Sequence, residues 1–274
     1  MQLVRAHFER IGDVIEAEPE QDVRMVQQPP ALTGRVELKQ ISFRYNSDAP
    51  PVLHDINVCI EPGQKVALVG RTGSGKSTLG RVLLGLHLPT QGDVLYDDLR
   101  LRTLNYQAVR SQFGVVLQES TLFSGSIREN IALNNVGIDL EQVMKAAMAA
   151  AIHEDIVLMP MGYETMVAEG GSALSGGQRL ALASSPALLL LDEATSHLDV
   201  MTEQVVDRNL NALACTRIVI AHRLSTIRNA DVILVLVEVA LKGLGGIIGI
   251  ALELTGGPIL VPSLLPVEVL PLIF

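Results

Sequence analysis

Apolar positions recur at helical spacing at the start of the chain. Leu3, Val4, Phe8, Ile11, Val14 and Ile15 predict a helix over residues 1–18. Pro19 ends it, and a polar stretch runs to Pro29 and Pro30, read as a linker. An amphipathic arm packed on the domain is the alternative. The pattern then changes period. Val36 to Phe43 (VELKQISF) alternates as a strand does, and Lys65 to Val69 is a short apolar run before a glycine-rich loop, the pattern of a buried strand. Lys76 to Leu86 reads as a helix. Further strands are predicted at Val94–Tyr96, Gly114–Leu117, Leu188–Leu191, Arg217–Ile220 and Val232–Leu236, and helices at Leu140–Ala151 and Met201–Leu213. Strands alternating with helices imply an α/β domain with a largely parallel sheet. No internal repeat is visible.

From about Val237 the pattern is different in kind. The segment 237–274 is rich in Leu, Gly and Pro, and its only charges are Glu238, Lys242, Glu253 and Glu268. They cut the apolar stretches below the roughly 20 residues a spanning helix needs. Six glycines and four prolines weigh further against a helix.

Composition narrows the partners. The chain has 274 residues, enough for one large domain or two small ones, and 48% hydrophobic residues make a packed core feasible. A net charge of −9 argues against nucleic acid as a main partner, because a phosphate backbone wants a basic face. Without Trp, and with 3% aromatics, a stacking platform for many bases is not expected. Cys59 and Cys215 are far apart and lack metal-ligand spacing, as two reduced thiols would. Met1 to Arg10 carries Arg5, Glu9 and Arg10 and has no apolar central region, so it does not read as a signal peptide.

The firmest chemistry is at Gly70-Arg71-Thr72-Gly73-Ser74-Gly75-Lys76-Ser77, which fits G-x-x-x-x-G-K-[ST]. It follows a predicted strand and opens a predicted helix. Glycines let the backbone wrap phosphates with its N–H groups inward, and the helix N-terminus adds partial positive charge. Lys76 is expected to reach the β- and γ-phosphates of a nucleoside triphosphate and Ser77 to hold Mg²⁺. Thr78, the next residue, is grouped with this site. A second half lies at Leu188 to Glu193, an apolar strand ending in two carboxylates. Asp192 is expected to bind Mg²⁺ and Glu193 to orient the attacking water. Four leucines and two acids alone are a weak signal; the loop upstream gives them meaning.

A third motif, Leu174-Ser175-Gly176-Gly177-Gln178, lies between the two. LSGGQ, with the phosphate loop before it and LLLLDEATS after it, resembles the nucleotide-binding domain of ABC transporters over about Val36 to Leu236. The resemblance implies a P-loop NTPase fold: a largely parallel sheet, an antiparallel β subdomain, and a helical subdomain carrying LSGGQ. It also implies ATP and Mg²⁺ as cofactors. Tyr45 falls where the family stacks a ring on adenine. Gln118, in GVVLQES, matches the glutamine that senses Mg²⁺ and links to the membrane domain. Ser196-His197-Leu198-Asp199 matches the dimer-contact loop, and His222, in AHRLSTI, the histidine that contacts the γ-phosphate. In the family two such domains pair head to tail, so Ser175, Gly177 and Gln178 serve the partner's nucleotide.

Three segments resemble exporters. They are Leu122 to Ile131, Val167 to Gly171, and HFERIGDVIEAEPE, which is similar to the connector after the last membrane helix of fused exporters. The implied organisation is a connector and linker over 1–30, an ATP-binding domain over 31–236 and an atypical tail over 237–274. The chain then resembles the C-terminal portion of a longer transporter, held at the cytoplasmic face of the membrane by a transmembrane domain it lacks. The linker and the SHLD loop lean towards peptide or bacteriocin export.

Two features depart from the family. After LSGGQ, Arg179 to Ser185 reaches Pro186 about six residues early, roughly 9 Å of helix. This predicts a displaced or loosened signature. The tail lacks the family's turn, short strand and polar helix, which reads as a shifted reading frame or truncated gene end. A divergent extension packed on the domain is the alternative. Three functions compete: an ATP-hydrolysing exporter motor, a soluble ABC protein of repair or translation, and a remnant that binds ATP without turnover. The connector, the single domain and the lack of an insertion argue against the second.

Overall fold

The computed structural model describes residues 12, 15, 16, 19–116, 123–132, 137–168, 186–192, 200–220, 227, 229–241 and 244–253, with backbone alone for 200, 237–241 and 244–253. In chain order the elements are β1 (Val36–Phe43), β2 (Leu53–Ile60), β3 (Lys65–Gly70), α1 (Lys76–Leu83), β4 (Gln91–Tyr96), β5 (Leu99–Arg100), α2 (Tyr106–Arg110), β6 (Phe113–Val116), β7 (Gly125–Ser126) and α3 (Ile127–Ala132). There follow α4 (Leu140–Ala149), α5 (His153–Val157), β8 (Met166–Val167), β9 (Leu188–Asp192), α6 (Val200–Asn211), β10 (Thr216–Ile220), β11 (Val232–Leu241) and β12 (Leu244–Glu253).

One ten-stranded sheet runs in the order β5-β4-β1-β2-β12-β11-β3-β10-β9-β6. Strands β11, β3, β10, β9 and β6 pair parallel, and β2, β1, β4 and β5 pair antiparallel. This is the mixed α/β architecture the sequence predicts. The period-2 alternation of the parallel strands divides their side chains between two cores. Val66, Leu68, Leu188, Leu190, Ile218, Ile220, Val232 and Leu234 face one side, with Leu79, Val82 and Leu83 of α1 and the buried residues of the antiparallel strands. Leu189, Leu191 and Val219 face the other, against Ile127 and Ile131 of α3, Val143 and Ala146 of α4, and Val206 and Leu210 of α6. Strands buried on both faces carry unbroken apolar runs, which is why LLLLD and TRIVI stand out in the sequence.

Helix α1 is shorter than its apolar pattern predicts. Gly85 has φ +64, and a Cβ there would lie 3.0 Å from Leu101 Cδ2. Leu86 N–H donates to Arg81 O (2.8 Å) and Gly85 N–H to Val82 O (2.9 Å), the paired bonds of a Schellman stop. The buried Tyr96 hydroxyl donates to Leu83 O (2.9 Å) and ties β4 to the same helix end.

Strand β2 escapes the alternation test for a physical reason. Asp55 has φ +47, and the register with β1 shifts between Ile41 and Phe43, so the buried set changes parity from Leu53 to Ile56 and Ile60. In β1 a similar shift at Gln40 (φ +53) separates Val36 and Leu38 from Ile41 and Phe43.

The linker lies along the domain. Gln27 N–H donates to Thr103 O, and Asn105 N–H to Gln27 O. The Gln21 amide donates to Leu104 O while its oxygen accepts from Tyr106 N–H at the start of α2. Of the helix predicted over 1–18, the described residues show one α-type bond, Glu16 N–H to Gly12 O at 2.8 Å. At the other end, the boundary expected after Leu236 falls inside β11. The strand continues to Leu241 and pairs antiparallel with β12 out to Val232 opposite Glu253. Among the described residues β12 meets β2 through one bridged pair, Ile248 opposite His54. Among the described residues no helix is long and apolar enough to cross a membrane.

Candidate functional site

The loop between β3 and α1 is built by strand, glycines and helix start in turn. Buried Val66, Ala67 and Leu68 fix β3 between β10 and β11, so the chain leaves the sheet at Gly70 in a set direction. Gly70, Gly73 and Gly75 take φ +150, +83 and +86. A Cβ at Gly70 would meet Leu236 O at 2.5 Å and Ser74 Oγ at 2.6 Å. Ser74 is buried, and its N–H donates to Arg71 O (3.0 Å). Gly75 starts α1 with no side-chain cap and no acid in the first turn. The helix therefore directs its N-terminal amides and positive dipole end at the loop, an arrangement that suits an anion.

Lys76 is buried, and its ammonium folds back to donate to Gly70 O (2.9 Å) and Arg71 O (3.0 Å). It thus stands over the concave side of the loop. Arg71, Thr72, Gly73 and Ser77 are exposed. Thr78 is buried, and its Oγ1 shares a 2.9 Å hydrogen bond with the Tyr45 hydroxyl.

Asp192 ends β9. The registers place Leu68, Ile220 and Asp192 in one row across β3, β10 and β9. Asp192 is therefore two strand spacings, about 10 Å, from β3, at the carboxyl edge where the loop emerges. Tyr45 reaches the same edge from the other half, since β1 runs parallel to β3 through the chain of pairings β1-β2-β12-β11-β3. One edge thus gathers an aromatic ring, a glycine loop with its lysine, a helix-start hydroxyl and a carboxylate. Ser77 and Asp192 offer the hard oxygen donors that Mg²⁺ takes, and the loop offers the cradle for phosphates. No group of three or more His, Cys, Asp or Glu that could hold a metal occurs among the described residues.

The other expected site residues, Gln118, Ser175, Gly177, Gln178, Glu193 and His222, lie outside the described residues, as does the shortened Arg179–Ser185 stretch. The structure adds two that sequence reasoning missed. His87 packs against Tyr45 with ring centroids 5.5 Å apart, and Phe43 against both. Neither belongs to a motif; for Phe43 the signal was its place two residues before Tyr45 at a strand end. Burial, with the Arg81 guanidinium nearby, pushes the His87 imidazole below its ordinary pKa.

Fold and loop together define an α/β nucleotide-binding domain of the P-loop class. The comparisons with known proteins narrow the class. The family model described as ABC transporter matches residues 53–196. The cyclolysin secretion/processing ATP-binding protein CyaB of Bordetella pertussis is 44% identical over 237 residues, covering 84% of this chain and 33% of that protein. The exotoxin translocation ATP-binding protein PaxB of Pasteurella aerogenes is 44% identical over 245 residues, covering 86% and 34%. A solved structure, a bacterial Atm1-family ABC exporter with ATP bound, superposes with a TM-score of 0.76 at 35% identity, covering 83% of this chain and 41% of that one. The chain belongs to the ABC transporter family. It spans about a third of the length of the curated relatives it matches.

Proposed function

We propose that this chain is the ATP-hydrolysing motor of a membrane exporter. The observation that carries the proposal is the loop itself: glycines at positive φ, a capless helix start and a lysine folded over the concave side. In this reading the adenine rests on Tyr45. The triphosphate lies in the loop from Gly70 to Ser77, against its amides. The Lys76 ammonium exchanges the Gly70 and Arg71 carbonyls for β- and γ-phosphate oxygens, a charge-assisted contact stronger than the one it leaves. Ser77, Gln118 and Asp192 are the residues that would hold Mg²⁺, which supplies charge neutralisation on the phosphates. Glu193 orients the attacking water, and His222 contacts the γ-phosphate.

A second ABC domain, docked head to tail, contributes its own counterparts of Ser175, Gly177 and Gln178 to complete the site, and ATP between the two acts as glue. A transmembrane domain would hold the chain at the cytoplasmic face of the membrane and carry the cargo. The relatives are described as serving cyclolysin secretion and exotoxin translocation. This favours a toxin-class cargo over other peptides.

The short Arg179–Ser185 stretch favours a second reading: ATP binding without turnover. Steady-state ATPase measurement with Mg²⁺, alongside nucleotide titration, separates the two. Turnover that disappears in Glu193→Gln, with that variant trapped as an ATP dimer, supports the motor. Binding without turnover selects the second reading. Failure to bind ATP at all overturns both.

A further inference from the structure

Tyr45, Phe43 and His87 form a three-ring cluster at the carboxyl edge of the sheet. Tyr45 meets Phe43 edge-on, with centroids 5.0 Å apart and planes at 83°, and meets His87 at 5.5 Å and 87°. His87 in turn stacks on Phe43 at 5.1 Å and 18°. We propose that His87 is a positioning residue that props the Tyr45 ring as the platform for the nucleobase. The inference rests on the nucleotide reading of this site.

Three observations support it. First, Tyr45 is 50% exposed, so its ring presents open surface while its remaining surface is held. The holders are Phe43, His87 and the Thr78 hydroxyl. Second, what His87 offers Tyr45 is its flat ring. Its Nε2 is buried without a hydrogen-bond partner, and its backbone is pinned by N–H donation to Arg81 O (3.2 Å). Third, Thr78 and His87 bracket α1. Thr78 sits in its first turn, next to the phosphate loop, and His87 lies just past the Gly85 stop. Helix α1 thus carries both the anchor of the tyrosine hydroxyl and the prop of its ring. Base platform and phosphate loop are set in register by one rigid element about 12 Å long.

A prop for the base platform affects ligands that carry a base and spares those that do not. The test titrates the chain with Mg·ATP and with Mg·tripolyphosphate, which has the phosphates alone. His87→Ala is expected to weaken ATP roughly two- to tenfold, the worth of an edge-to-face ring pair, and to leave tripolyphosphate unchanged. His87→Phe keeps the ring and is expected to keep ATP affinity. His87→Leu keeps apolar bulk without the ring and is expected to follow His87→Ala, which separates propping from simple core filling. Tyr45→Ala is the control, expected to erase the preference for ATP over tripolyphosphate. If Tyr45→Ala leaves that preference intact, the base-platform reading fails and the inference with it. If Tyr45→Ala erases it but His87→Ala changes neither ligand, or both equally, the role of His87 alone is overturned.

Discussion

Arg110 grips Glu20 with two hydrogen bonds, at 2.7 Å and 2.5 Å, one to each carboxylate oxygen. The same guanidinium donates to Gly85 O through Nε (3.1 Å) and Nη2 (2.5 Å). Glu20 belongs to the linker, Arg110 ends α2, and Gly85 stops α1. One side chain therefore clips the linker to the far end of the phosphate-loop helix.

Glu20 is half exposed and Arg110 a quarter exposed, so solvent screens much of the pair. Glu20→Gln is expected to cost at most about 1 kcal/mol, and Arg110→Ala about 1–2 kcal/mol, since the second also strips Gly85 O of its donors. The Arg110 hydrogen bond holds the Glu20 carboxyl below its usual pKa. The pair's stabilisation is therefore complete above the ordinary carboxylate range and fades as pH falls through the lowered value. Urea denaturation across pH should show wild type and Glu20→Gln converging in acid. A constant gap would refute the assignment.

Gly70→Ala forces a Cβ into Leu236 O and Ser74 Oγ at a φ of +150. Backbone strain of this kind costs about 1–3 kcal/mol, and here it falls where β3, β11 and the loop meet. Thermal denaturation should show a lower Tm, and nucleotide titration a weaker affinity. An unchanged Tm would mean that the loop exits β3 by another path.

Lys65 is nearly sealed, at 4% exposure, with its ammonium 2.5 Å from Asp207 Oδ1 on α6. Asp207→Ala is expected to cost about 3 kcal/mol, because it leaves a buried ammonium uncompensated. Lys65→Met combined with Asp207→Leu should recover most of that loss. Denaturant midpoints of the two variants decide the point.

Lys76→Ala removes the cation over the phosphate loop and the donor to Gly70 O and Arg71 O. Charged hydrogen bonds contribute about 1.5–3 kcal/mol each, so nucleotide affinity should fall at least tenfold. Fluorescence titration with an ATP analogue checks it. Retained affinity would overturn the site.

Legibility followed burial and motif. The strands of the parallel half were readable because two-sided burial writes unbroken apolar runs such as Leu188 to Leu191. The loop was readable because phosphate binding restricts residue types at fixed spacing. Strand β2 was hidden by Asp55, whose left-handed turn breaks the alternation between Leu53 and Ile56. Helix α1 was overdrawn because Leu84 and Leu86 continue its apolar pattern past the stop that Gly85 imposes. The ring cluster was invisible because His87 reaches Tyr45 across 42 positions of chain, a proximity that only the packing of α1 on the antiparallel strands creates.

The one described rung between β12 and β2 has a mechanical consequence. On one side of that line lies the strand leading to Tyr45; on the other lies the strand leading to Gly70. Backbone bonds resist sliding weakly along it, so stiffness on the β2 side rests on side-chain packing, with Leu53 and Ile56 in one core with Leu79 and Leu83 of α1. A nucleotide with its base on Tyr45 and its phosphates in the loop would span the line as a cross-brace. On the proposed reading, each release of nucleotide removes that brace, and α1 alone then keeps the base platform and the phosphate loop in register.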